Sequence, residues 1–192
     1  MPTPADPFFR LIPPDRIANE LEQERSDRNF RPTVMAVAYT AACELLVVQS
    51  PNEKEDIFWL LQGGLHDDEL DDPKIGVRRE LHEEVSGLSI PTIGECLGGF
   101  RSRTTTPRDG YSDGKLYVAY PVLFAATASG VQPVEGETAA AKLVTTDQLA
   151  AQLERNSNPG TFPDSVDQDR RRRKALFTHI FVKQALASLA QG

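Results

Sequence analysis

Cysteine is nearly missing from this 192-residue chain, which has only Cys43 and Cys96. Two residues are too few for a disulfide framework, and their separation is not the Cys-x-x-Cys spacing of a zinc or redox motif. A reducing, cytoplasmic setting is the expectation. No apolar run approaches the roughly 20 residues that a membrane span requires, and the opening MPTPADPFFRLIPPDR lacks the basic-then-apolar layout of a signal peptide. A net positive charge is absent too. Against 21 lysines and arginines stand 28 aspartates and glutamates, a formal net charge of -7, which disfavours long-range attraction to nucleic-acid backbone or to an anionic membrane surface. A phosphate-bearing partner then needs a local remedy, either a bound cation or a few placed arginines.

What is present suffices for one domain with terminal additions, since 40% of the residues are hydrophobic and the length is short for two cores. The divisions expected are an N-terminal extension over 1–31 with a short helix in DRIANELEQERSD, a central domain over 32–150, and a loop with a C-terminal helix over 151–192 packing on that domain. Within the centre, RPTVMAVAYT and CELLVVQS read as a strand hairpin, PNEKED as a turn and IFWLL as a short strand. GECLGGF, KLYVAYPVLFAAT and AAAKLVTT read as further strands, with RSRTTTPRDGYSDG as a long exposed loop. The tail carries TDQLAAQLE, the irregular RNSNPGTFPDSVD, and a last helix over DRRRRKALFTHIFVKQALASLA.

The segment GVRRELHEEVSGL, residues 76–88, concentrates negative charge at Glu80, Glu83 and Glu84. Asp71 or Asp72 supplies an N-cap, Pro73 suits the first turn, and Gly87 is placed to end the helix in a left-handed conformation. At about 100° per residue, Val77, Leu81, Val85 and Leu88 fall on one stripe, and the three glutamates lie on the flank beside it. Like charges so close raise one another's proton affinity unless something positive neutralises them. A hard cation such as Mg²⁺ takes oxygen ligands and meets that need; Arg79 is the covalent alternative, bracing one carboxylate. The plainer reading is a solvated helix face with ordinary glutamate–arginine pairs. The preceding pair Gly63 and Gly64 favours the site, because bare backbone beside an acidic helix permits close approach of a metal or phosphate.

These residues resemble the Nudix box, G-x5-E-x7-R-E-U-x-E-E-x-G-U with U a bulky aliphatic. The R-E-U-x-E-E core matches Arg79, Glu80, Leu81, Glu83 and Glu84, and the resemblance extends more loosely over about residues 32–150. It implies an α/β class, a Nudix-like α/β/α sandwich with a mixed β-sheet and a catalytic loop-helix-loop that binds Mg²⁺ or Mn²⁺. It implies hydrolysis of a nucleoside diphosphate linked to another moiety, with water attacking phosphorus. The chain departs from the pattern at both ends of the box. One extra residue lies between Gly64 and Arg79, so the first glutamate falls on Asp71 if the spacing to Arg79 is kept, with Glu69 as the other candidate; Ser86 stands where the glycine is expected, and Gly87 follows. FWLLQGG is similar to the family's W-x-F-P-Q-G-G stretch, with Phe58 and Leu61 substituted. That Q-G-G version is more like dinucleoside polyphosphate hydrolases and RNA 5′ pyrophosphohydrolases than like sugar-nucleotide enzymes.

By that resemblance Glu80, Glu83 and Glu84 are metal ligands, one of them also a candidate base, with the Gly63 carbonyl a further ligand and Arg79 a brace within the catalytic set. Glu137 is placed to supply an additional acid from a later loop, with Glu135 next. The expected partner is a small phosphoanhydride substrate, with neither a membrane nor a nucleic acid other than a 5′ end. Arg101, Arg103 and Arg108 in the long loop, with Lys115 and Tyr117 on the next strand, are candidates for substrate contact; the alternative for the arginines is simple solvation. His66, His82 and His179 show no ligand spacing. The arginines at 170–173 read as part of a solvated amphipathic helix whose N-terminal dipole is met by Asp164, Asp167 and Asp169. The competing function class is a non-catalytic Nudix-fold module that binds a nucleotide or a partner.

Overall fold

The computed structural model of the chain describes residues 11–51, 57–89, 91–103, 110–156 and 165–189. The proline-rich start, most of the PNEKED turn, Arg108, Asp164 and much of the RNSNPGTFPDSVD loop fall outside them. Along the chain come α1 (Ile17–Asp27), β1 (Phe30–Tyr39), β2 (Leu45–Gln49), β3 (Leu61–Gly64), α2 (Pro73–Glu84), β4 (Val85–Ser86) and β5 (Thr92–Ile93). Then follow β6 (Gly98–Arg103), β7 (Gly114–Leu123), β8 (Gln132–Pro133), β9 (Ala140–Val144), α3 (Thr146–Asn156) and α4 (Ser165–Leu189). A 3-10 turn, Asp67–Glu69, joins β3 to α2, and another, Pro14–Arg16, precedes α1.

Two apolar strands organise the rest. β1 and β7 run parallel from Phe30 opposite Gly114 to Tyr39 opposite Leu123, and both read as almost unbroken apolar runs because they are covered on both faces. β6 and β5 add antiparallel to the outer edge of β7, and β3 and β2 to the outer edge of β1, with β9 beyond β2. The sheet is therefore mixed. Alternate side chains of β1 go to opposite layers: Val34, Ala36 and Ala38 meet Ile17 and Leu21 of α1 and Val77 and Leu81 of α2. Met35, Val37 and Tyr39 meet Leu149 and Leu153 of α3 and Phe177, Phe181 and Val182 of α4. The result is a helix, sheet, helix sandwich. Among the described residues no helix is long and apolar enough to cross a membrane.

Several boundaries differ from the sequence expectation. IFWLL was expected as a strand, but its only described pairing before Leu61 is a bridge from Trp59 to Val48, and the ladder with β1 falls on Leu61–Gly64. Ile57, Phe58, Trp59 and Leu60 are all buried, so their apolarity reflects burial rather than pairing with β1. The strand expected at GECLGGF begins only at Gly98 and continues to Arg103. α2 stops at Glu84, three residues before the glycine expected to end it, because Val85 and Ser86 turn extended and pair with Pro133 and Gln132. Gly87 does adopt φ +80, but just beyond β4 rather than as the helix cap; a Cβ there would lie 2.0 Å from the Gly130 carbonyl oxygen. α4 begins at Ser165, so the arginine run lies inside the helix, with Arg171 buried and Arg172 exposed.

On the α4 face, Phe100 stacks on Tyr117 at 4.8 Å and on Phe177 at 4.5 Å between ring centroids, and it is fully buried. Truncating it opens a cavity between sheet and helix. Phe100→Ala should destabilise the fold by about 3–5 kcal/mol, while Leu176→Ala on the exposed side of the same helix should change stability by no more than about 0.5 kcal/mol. Urea unfolding of both variants checks the assignment of that layer.

Candidate active site

The box residues are assembled by three consecutive pieces: the end of β3, the Asp67–Glu69 turn and α2. Asp72 caps the helix by accepting from the Lys74 N–H at 3.2 Å, and Pro73 follows at its first position. Val77 and Leu81 anchor the helix in the core, which leaves Arg79, Glu80, Glu83 and Glu84 at the rim. Arg79 spends all five of its N–H bonds here. Nε and Nη2 donate to the two oxygens of Glu69, each at 2.8 Å; Nη2 also donates to the Gly64 carbonyl at 2.7 Å; Nη1 donates to Glu80 at 2.7 Å and to Glu83 at 2.9 Å.

That geometry separates the two candidates for the first acidic position. Glu69 is buried, and its Oε2 also accepts from the His66 N–H at 2.8 Å; the Arg79 hydrogen bonds hold its carboxyl below the usual range. Asp71 is exposed and pairs with Arg25 at 2.8 Å. The spacing to Arg79 favoured Asp71, but the extra chain is accommodated in LDDPKIGVR between Glu69 and Arg79. Glu69 instead keeps five residues between itself and Gly63. Gly76 completes the fit, since a Cβ on that helical position would come within 2.4 Å of Leu65 and 3.1 Å of Glu69. A glycine in mid-helix is the sequence signal for this close approach.

The other carboxylates differ in setting. Glu80 is buried over Gly63, where a Cβ would fall within 1.9 Å of its carboxylate oxygens. Burial raises its proton affinity, with Arg79 opposing. Glu84 is half-buried and accepts from the Thr138 hydroxyl at 2.8 Å; burial, with the charges of Glu80, Glu137 and Glu83, pushes its carboxyl up to about 7. Glu83 is exposed. Glu137 and Glu135 are exposed in the turn before β9; that turn is tied to α2 by the Val134 N–H donating to the Glu84 carbonyl at 3.0 Å and by Thr138. Among the described residues no group of three His, Cys, Asp or Glu side chains forms a cation cage as it stands. Arg79 draws Glu80 and Glu83 to itself instead.

A model of the NUDIX domain matches residues 29–165 of the chain. The chain belongs to the Nudix family. Nudix proteins are hydrolases acting on phosphoanhydride bonds, and the mixed sheet with helices on both faces is their fold. Tm1382, a candidate Nudix hydrolase of known crystal structure, is 16% identical over 76% of this chain and 79% of its own, with a TM-score of 0.53. The NUDIX domain of Shewanella oneidensis NrtR, solved in complex with ADP ribose, is 18% identical over 64% of this chain and 77% of its own, with a TM-score of 0.46. No curated protein sequence matches the chain.

The remaining candidates do not gather at the Nudix box. Arg101 faces α1, where its guanidinium meets Glu20 and, at 3.2 Å, Glu24, and lies over the Phe30 ring; it is a brace for α1, not a group presented to a ligand. Tyr117 is buried and stacked on Phe100, so its ring is not available to a base. Lys115 lies opposite Arg31 in the β1–β7 ladder, half-buried, with its ammonium 5.9 Å from the Tyr117 ring. Arg103 ends β6, and its side chain is outside the described residues. Strand alternation explains the division, since Arg101 and Lys115 point to opposite faces of the sheet.

Glu69→Gln takes the charge from a buried two-point contact and leaves Arg79 donors under-satisfied, although Arg79 keeps its pairs with Glu80 and Glu83; it should cost about 1–3 kcal/mol. An exposed pair contributes little, so Asp71→Asn should cost at most about 1 kcal/mol, as read by chemical denaturation. Glu84 gives a second test with a defined sign. Its folded pKa of about 7 lies above the unfolded value, so its contribution to stability is fully present below about pH 4.3 and is lost as pH rises through about 7. In metal-free protein the melting temperature of Glu84→Gln should gain on wild type between about pH 5 and 8; a gap constant with pH would contradict the assignment.

Proposed function

We propose that this Nudix chain is a divalent-metal-dependent pyrophosphohydrolase that cleaves a nucleoside diphosphate linked to another moiety, with water attacking phosphorus. The observation that carries the reading is Glu84. It is half-buried beside Glu80, Glu83 and Glu137, its proton affinity is raised, and the five N–H bonds of the neighbouring arginine are directed elsewhere. A hard cation fits this donor set, which is oxygen throughout. Glu80, Glu83, Glu84 and the Gly63 carbonyl are the groups that would hold Mg²⁺ or Mn²⁺. When bound, the ion supplies polarisation of phosphoryl oxygens and a lowered pKa for bound water.

The chain's own residues supply the rest. Arg79 keeps Glu80 and Glu83 on one side of the helix by bonding both through Nη1. One glutamate of the set takes the proton of the attacking water, and a carboxyl poised near neutrality suits that task. Glu137 adds an acid from the turn that Thr138 fastens to Glu84. The absence of a side chain at Gly63 leaves room for the Glu80 carboxylate. The Q-G-G form of β3 favours a dinucleoside polyphosphate or a 5′ triphosphate end among substrates.

A second reading is a non-catalytic module that binds a nucleotide or a partner. It is favoured by the commitment of Glu80 and Glu83 to Arg79 and by the altered spacing of the box. Phosphate release from a panel of nucleoside diphosphate derivatives, with and without Mg²⁺ or Mn²⁺, separates the two. Under the hydrolase reading, Glu84→Gln and Glu83→Gln should each lower turnover by about 10²–10⁴-fold, and wild-type turnover in both would sink the role assignment. Millimolar Mg²⁺ or Mn²⁺ should raise the melting temperature of metal-stripped protein beyond matched NaCl, and the triple glutamine variant at 80, 83 and 84 should lose that excess.

A further inference from the structure

The turn that carries Glu69 is gripped from two sides. On the inside, Glu69 holds Arg79. On the outside, the guanidinium of Arg28 donates through Nη2 to Asp67 at 2.6 Å, and that of Arg25 donates to Asp71 at 2.8 Å. Both arginines belong to the C-terminal end of α1 and precede the family match, which starts at residue 29. We propose that Arg28, assisted by Arg25, is a positioning residue for the glutamate site: it sets the Asp67–Glu69 turn, and through Glu69 it sets the orientation of Arg79. For its kinetic consequence the proposal rests on the hydrolase reading above.

Arg28 is built for a side-chain role. It occupies the left-handed region, at φ 55, where it closes α1 with its N–H on the Glu24 carbonyl at 3.1 Å. Glycine fills such positions with least strain, and here an arginine stands instead. Its Nη1 donates to the Tyr111 hydroxyl at 3.0 Å and its carbonyl accepts from the Ser112 N–H at 3.2 Å, so the box turn, the end of α1 and the approach to β7 meet at one residue. The base of this strut is rigid. Ile17 and Leu21 are buried, and Glu24, 1% exposed, accepts from the N–H groups of Asn29 and Phe30 at 3.0 and 2.7 Å and from Arg101.

The two outer ion pairs are exposed, so they add little to stability while they still fix where the turn lies. Their effects on stability and on site geometry are therefore separable. In the full-length Arg25→Ala/Arg28→Ala protein, kcat should fall by about tenfold or more, KM should stay within a factor of about three, and the melting temperature should drop by only a few degrees. The charge swap Arg28→Asp with Asp67→Arg should recover most of the lost kcat. A direct structural readout is the His66 amide, whose proton is held by Glu69; its hydrogen exchange should accelerate in the double variant. Unchanged kcat, or a loss that the swap does not recover, overturns the proposal. If wild-type protein hydrolyses nothing in the panel, the hydrolase reading fails by itself. The amide then decides the strut: faster exchange supports it, and unchanged exchange overturns it.

Discussion

The Arg79 guanidinium is the constraint on which the site depends. Five donors in one plane meet two oxygens of Glu69, one each of Glu80 and Glu83, and the carbonyl of Gly64. Glu69 and Glu80 are buried, and such charges are tolerated only when they are paired and hydrogen-bonded. Lysine could not substitute, because an ammonium has three donors and no fork to match a carboxylate on one side and two more acceptors on the other. One side chain therefore fastens the end of β3, the turn and the helix to each other. The acidic density of the box is sustained by it.

The fold brings these pieces close by leaving side chains out. Gly63 lets the Glu80 carboxylate lie against the strand, and Gly87, with positive φ, lets the chain after α2 pass within contact of the Gly130 carbonyl. That second approach allows β4 and β8 to pair. The pairing in turn brings Val134 to the Glu84 carbonyl and Thr138 to the Glu84 carboxylate. The last turn of the helix is thus capped by a distant loop that also delivers Glu137. Burial, with the charges of Glu80, Glu137 and Glu83 beside it, raises the proton affinity of Glu84.

Basic residues have divided roles that their number in the sequence did not disclose. Arg101 faces the helical layer formed by α1 and α2, and its charge is met by Glu20 and Glu24. Arg25, in α1, and Arg28, which follows it, reach across to Asp71 and Asp67. The helix that precedes the family match is consequently attached to the core by Ile17 and Leu21 and to the box by two arginines. It belongs mechanically to the site.

Local pattern was enough for the features that local pattern controls. The apolar runs of β1 and β7, a helix start at Pro73, and the Arg79, Glu80, Glu83 and Glu84 grouping on one helix could be read directly, because strand burial and helical periodicity act over a few residues. From these followed the α/β class and the family. Tertiary structure alone decided which acid meets Arg79, because the Asp67–Glu69 turn places Glu69 against the helix, and distance through space does not follow spacing along the sequence. It alone decided that α2 ends at Glu84, because the competing partner of Val85 is Pro133. It also assigned Arg101 to the contact with α1, Tyr117 to the interior and Arg28 to the box. Each of these outcomes is a choice among partners far apart in sequence, made by which contacts the packed layers bring within hydrogen-bonding distance.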